Sequence, residues 1–193
     1  MKRDVILAGV GGQGILSIAK VIGYAALKQE LYLKQAEVHG MSQRGGDVQS
    51  HMRISDKPVW SDLIPYGEAD LILSLEPLEA LRYLPYLSPD GWIITNSTPF
   101  TNMSNYPDID RILNEISRIK NHRIIDADRI AKETGSPRSV NMVMLGAAVK
   151  KLGFPPEDLK EGLRDLFKNK HNKIIENNLK AFDWGTENGI VEE

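Results

Sequence analysis

Three glycines, Gly9, Gly11 and Gly14, mark the point where an apolar run at residues 5–8 gives way to a helix-patterned stretch from Ile15. A strand, a tight glycine turn and a helix start leave backbone N–H groups and the positive end of a helix dipole free to meet an anion. Gly11, Gly12, Gln13 and Gly14 are therefore candidate binding residues for a phosphate or diphosphate. The competing reading is a turn that serves close helix–sheet packing and binds nothing. A second cluster, Arg44-Gly45-Gly46, sharpens the choice. Gly45 and Gly46 permit backbone conformations in which Arg44 presents its planar fork to a carboxylate or phosphate. His39, earlier in the same loop, could partner a hydrogen bond or give a proton, although alone it reads as a structural histidine. The loop as a whole reads as functional or as a subunit contact.

Other chemistries find less support. A GxGxxG turn suits a nicotinamide dinucleotide when an acid about 20 residues further on takes the ribose, and Glu37 is suitably spaced. Residues 38–46 then read as an irregular loop instead of the next helix, which breaks the dinucleotide-binding unit. No GxSxG elbow offers a serine nucleophile. His39, His51, His122 and His171 lack ligand spacing, so no metal site is expected. There are 0 cysteines, which excludes disulfides, thiolate-held clusters and cysteine nucleophiles within the chain.

Around these residues the pattern alternates. Short apolar runs at 5–8, 31–38, 70–75, 92–95 and 123–125 predict strands, several of them buried on both faces. Helical stripes fall at 15–28, 78–87, 109–119, 127–133, 139–152, 156–167 and 173–182. Residues 47–54 alternate as a half-exposed strand, and Asp56-Lys57-Pro58 predicts a hairpin that pairs it with Val59-Trp60. Pro89-Asp90-Gly91 predicts a turn. The expected fold class is α/β: a doubly wound, Rossmann-like sheet, mostly parallel with a hairpin near residues 47–60, and helices on both faces. Residues 1–193 make one domain, with a helical extension from about residue 155. Such sheets bind ligands beyond their strand C-termini, and both glycine clusters fall there or between strands. A net charge of −2 gives no reason to expect nucleic acid or a membrane surface, and a cytoplasmic location is the expectation.

GVGGQG at residues 9–14, EVHGMSQRGGDV at 37–48 and GEADLILSLEPLEALRYLPYL at 67–87 together resemble a known family. They are similar to the gamma subunit or domain of the thiamine-diphosphate-dependent 2-oxoacid:ferredoxin oxidoreductases. The EVHGMSQRGG version is most similar to the beta subunit of the indolepyruvate enzymes, with the 2-oxoglutarate and pyruvate gamma subunits close behind. NMVMLG at 141–146 and NLKAF at 178–182 extend the resemblance over nearly the whole chain.

The resemblance implies a subunit of a cytoplasmic complex that oxidatively decarboxylates a 2-oxoacid, indolepyruvate or another aryl pyruvate favoured, to an acyl-CoA. Thiamine diphosphate, Mg²⁺ and 4Fe-4S clusters would sit on partner subunits, and ferredoxin would take the electrons. This chain would bind none of those cofactors alone. It would complete the active-site entrance and help hold CoA, chiefly through the turn Gly11, Gly12, Gln13 and Gly14 and through Arg44; with His39, Gly45 and Gly46 these are the candidate cofactor-binding or interface residues, and no catalytic residue is assigned. The alternatives are a stand-alone NAD(P)-dependent dehydrogenase and an assembly module whose glycine turns bind nothing.

Overall fold

The computed structural model describes residues 1–40, 45–101 and 105–189. Its frame is a six-stranded sheet with the order β2-β3-β1-β4-β5-β6. The strands are β1 (Lys2–Val10), β2 (Tyr32–His39), β3 (Asp47–Ser55), β4 (Ala69–Ser74), β5 (Leu87–Asn96) and β6 (His122–Ile125). β1, β4, β5 and β6 run parallel, whereas β3 pairs antiparallel with both β1 and β2. The sheet is thus mixed, with the mostly parallel half and the hairpin meeting along β1.

Alternation along β1 explains why it reads as an unbroken apolar run. Val5 and Leu7 point into one core, Ile6 and Ala8 into the other, and all four are fully buried. The first face is covered by α1 (Ile15–Lys28), α4 (Ala127–Glu133), α5 (Val140–Leu152), α6 (Pro156–Phe167) and α7 (Asn172–Asn188). The second is covered by α2 (Pro77–Arg82) and α3 (Ile109–Ser117). α5 is buried nearly all round because α7 closes over it. A Cβ at Gly146 would fall 2.0 Å from the Phe182 carbonyl oxygen, and one at Gly185 would fall 2.1 Å from that of Val143. These two glycines let the helix backbones touch, and Phe182 fills the core beneath them.

Two local expectations need correction. The hairpin joins β3 to β2, from Tyr32↔Ser55 to His39↔Val48, and not to Val59-Trp60. Trp60 stands 91% exposed, and the two residues before it lie in irregular chain. Strand 31–38 had the longer alternating partner to offer, which outweighed the nearby turn signal. Pro89-Asp90-Gly91 is no turn either but lies inside β5, where the register with β4 shifts between Ala69 and Leu71. The proline and glycine fall in the stretch of β5 where this irregularity interrupts the pairing with β4. No helix among the described residues is long and apolar enough to cross a membrane.

Candidate functional site

β1 ends at Val10, and the chain turns into α1 through Gly11, Gly12, Gln13 and Gly14. Gln13 closes this turn from within. Its Oε1 accepts from the Val10 amide at 2.7 Å, and its Nε2 donates to the Leu75 carbonyl at 3.2 Å. Both ends of the Gln13 amide are therefore committed to backbone. Gly14 caps α1 in the left-handed region at φ 87°, and its carbonyl accepts from Ser17, Ile18 and the Asn141 side chain. The first turn of α1 carries neither a side-chain cap nor an acid. Its dipole therefore keeps an uncompensated positive end. Gly12, at φ 104°, faces open space: a Cβ there would meet nothing within 4 Å.

The second glycine cluster folds onto the first. Gly11 donates to the Gly46 carbonyl at 2.8 Å, and Gly45 donates to the Gly11 carbonyl at 3.3 Å. Gly40 closes the base of the loop by donating to the Asp47 carbonyl at 2.8 Å. Two clusters far apart in sequence thus form one ledge at the C-terminal end of β1. His39 ends β2 opposite Val48. Arg44 lies outside the described residues.

The same geometry removes the dinucleotide reading. β3 is inserted between β1 and β2. Glu37 therefore sits two strands away from the glycine turn, paired with Ser50, and not on the neighbouring strand from which an acid reaches a ribose.

Beneath the ledge lies a group that sequence reasoning did not select. Val10, Gly45, Asp47, Glu76, Leu78, Glu79, Arg82, Phe100 and Tyr106 line a cavity of about 70 Å³. Glu76 caps α2, accepting from the Glu79 amide at 2.9 Å, and also takes the Phe100 amide and the Tyr106 hydroxyl. Tyr83 donates its hydroxyl to the Asp47 carboxylate, 2.7 and 2.9 Å from its two oxygens. Glu79 is held by the Arg82 fork at 2.7 and 3.2 Å. Burial nevertheless pushes Glu79 up to about 7; Arg82 pulls the other way, and the Asp47 carboxylate pushes it further up. Burial, then the neighbouring carboxylate, raises the Tyr83 and Tyr106 hydroxyls as well, so both stay protonated donors. The signal in the sequence was Glu76-Pro77-Leu78-Glu79, a helix start with Pro at the first position and an acid two residues after it.

An α/β sheet with a glycine ledge at its strand C-termini, an uncapped helix N-terminus beside it and buried carboxylates below is an arrangement that suits an anion, and no cluster that could hold a metal occurs among the described residues. The chain belongs to the pyruvate ferredoxin/flavodoxin oxidoreductase family, whose profile matches residues 4–188. It is 41% identical to the indolepyruvate oxidoreductase subunit IorB of Methanothermobacter thermautotrophicus, across 96% of each chain. Among solved structures it resembles 2-oxoglutarate:ferredoxin oxidoreductase from Magnetococcus marinus, with 2-oxoglutarate, coenzyme A and succinyl-CoA bound. That match has a TM-score of 0.76 at 24% identity and covers 96% of this chain but 30% of that one. It also resembles pyruvate oxidoreductase subunit PORC of Thermotoga maritima, with a TM-score of 0.72 at 22% identity over 96% of each chain.

Proposed function

We propose that this chain is a subunit of a 2-oxoacid:ferredoxin oxidoreductase of the indolepyruvate type, contributing a phosphate-binding ledge that helps hold CoA. The observation that carries this reading is the Gly11–Gly46 bridge, which joins both glycine clusters beside the uncapped N-terminus of α1. In the full enzyme thiamine diphosphate would supply the decarboxylation and iron–sulfur clusters the path for the electrons, both on partner subunits. A chain with 0 cysteines has no thiolates to hold such a cluster, which fits that division. The work left to this chain is binding. With the Gly11 and Gln13 amides committed to the Gly46 and Val10 carbonyls, the amides of Gly12 and Gly14 and the α1 dipole favour a phosphate, and open space at Gly12 admits it. Arg44 enters the proposal through its position in the RGG sequence, as a charge-assisted donor to the same anion. Full-length similarity to a subunit of an indolepyruvate enzyme supports aryl pyruvates as the oxidised substrates.

Reconstitution tests the reading. The isolated chain is expected to show no turnover, and activity should appear only when thiamine- and cluster-bearing subunits are added. Unchanged activity of that complex when this chain is left out would refute the subunit role. Arg44→Ala in the complex should raise the KM for CoA with little change in that for the 2-oxoacid; equal CoA affinity removes Arg44 from the site.

A further inference from the structure

The cavity below the ledge contains more acid than base. Asp47, Glu76 and Glu79 face it, and among its described lining residues Arg82 is the one cation, with its side chain 48% exposed. Glu76 has three donors of its own. The tension therefore falls on Asp47 and Glu79. Asp47 is also the residue at which the second glycine cluster becomes β3: Gly46 before it holds Gly11, and its own carbonyl holds Gly40.

We propose that Asp47 and Glu79 are positioning residues for the glycine ledge, with one proton held between their carboxyls keeping the Gly45-Gly46 arm against Gly11. Among the described residues, the groups facing this pair are few. Arg82 comes from α2, Tyr83 from just beyond it, Glu76 from the connection ahead of α2, and Tyr106 from the segment before α3. β1 adds only the apolar Val10. With the proton in place, Glu79 is a donor to Asp47 and the arm is fastened to α2. Without it, two carboxylates oppose each other in a confined cavity, and Asp47 relieves the repulsion by withdrawing with the arm it carries. Near neutral pH, where burial and Asp47 place the titration of Glu79, the ledge therefore becomes responsive to pH.

The latch rests on the cavity that Asp47 and Glu79 share and on the Gly11–Gly46 bridge next to Asp47, whereas its effect on CoA rests on the function proposed above, so the test has two separate readouts. The first is amide hydrogen exchange at Gly11 and Gly45 in the full-length chain, corrected for intrinsic exchange, between pH 6 and 8. Protection should fall about tenfold in the parent, with a midpoint near 7. Glu79→Gln, whose amide donates to Asp47 and cannot ionise, should give a flat profile, and so should Asp47→Asn, which removes the repulsion from the other side. A flat profile in the parent, or an unchanged pH dependence in the variants, overturns the latch. Should neither variant fold, the parent decides alone: the loss of protection at Gly11 must follow the carbon-13 titration of the Glu79 carboxyl, and an exchange profile that does not track that titration overturns the latch. The second readout is the KM for CoA of the reconstituted complex, which should rise with pH in the parent and stay level with Glu79→Gln. Exchange behaving as expected while KM ignores pH keeps the latch and discards the CoA role.

Discussion

The amide of Gly11 donates to the carbonyl of Gly46 at 2.8 Å, so the turn after β1 and the loop before β3 are one structural unit. The link lies at the end of two adjacent antiparallel strands, where Gly9 faces Val48 across the same ladder. A change in either cluster therefore acts on both.

Gly12 and Gly14 separate backbone strain from crowding. Both have positive φ, but a Cβ at Gly12 meets open space, whereas one at Gly14 falls 2.4 Å from the Asn141 amide nitrogen. Gly12→Ala should cost about 1–2 kcal/mol, the penalty of a left-handed residue. Gly14→Ala should cost roughly 1 kcal/mol more, through the lost Asn141 hydrogen bond to its carbonyl. Urea unfolding measures both, and equal costs would show that Asn141 yields freely.

Glu79 makes stability fall as pH rises. Its carboxyl sits at about 7 in the folded chain, against about 4.3 when unfolded. Between those values the folded state binds more protons, so stability declines from about pH 4.5 to 7 and then levels off. The sign is opposite to that of a salt-bridged surface carboxylate. Melting temperatures between pH 5 and 8 should show the decline in the parent and a shallower one in Glu79→Gln. Parallel curves would deny Glu79 its shift.

Much of this arrangement was legible in the sequence, for identifiable reasons. Buried strands announce themselves when both faces are covered, as at residues 5–8 and 70–75, because alternation then vanishes into a continuous run. The glycine turn was legible because strand, glycine and helix follow one another locally. The partner of β3 was not, since pairing across residues 40–46 is decided by the match of whole strands, and Asp56-Lys57-Pro58 offered a nearer alternative. The acidic cavity escaped for a similar reason: Asp47, the Glu76–Glu79 stretch and Tyr106 come from three separate segments and meet only once the parallel strands have stacked. Each alone resembles a solvated surface residue, and only burial gives them chemistry.

The packing of α7 on α5 is equally unforgiving. Gly146 and Gly185 allow backbone contact, and a methyl group at either would overlap a carbonyl oxygen that cannot rotate away. Gly185→Ala should lift α7, expose Phe182 and cost at least about 3 kcal/mol. Limited proteolysis should then cut between α6 and α7, and the near-ultraviolet signal of Trp184 should weaken. A fully protected C-terminal segment would refute the account.

Open space at Gly12 permits a test of the anion ledge that strain cannot imitate. Asn and Asp tolerate positive φ almost equally and have nearly the same shape, so Gly12→Asn and Gly12→Asp carry a similar backbone cost. They differ by one negative charge beside an α1 N-terminus that has no acid of its own. That charge should stabilise the free chain by about 0.3–1 kcal/mol relative to Asn, by meeting the helix dipole. It should also repel a bound phosphate a few ångströms away, by roughly 1–3 kcal/mol at the effective dielectric of a protein surface. In the reconstituted complex the Asp variant should therefore melt higher than the Asn variant yet need about tenfold more CoA for half-maximal rate. Stability and affinity moving in opposite directions is the signature of an anion at this helix. If the two variants share one CoA requirement, no phosphate sits on the α1 N-terminus, and the ledge serves assembly alone.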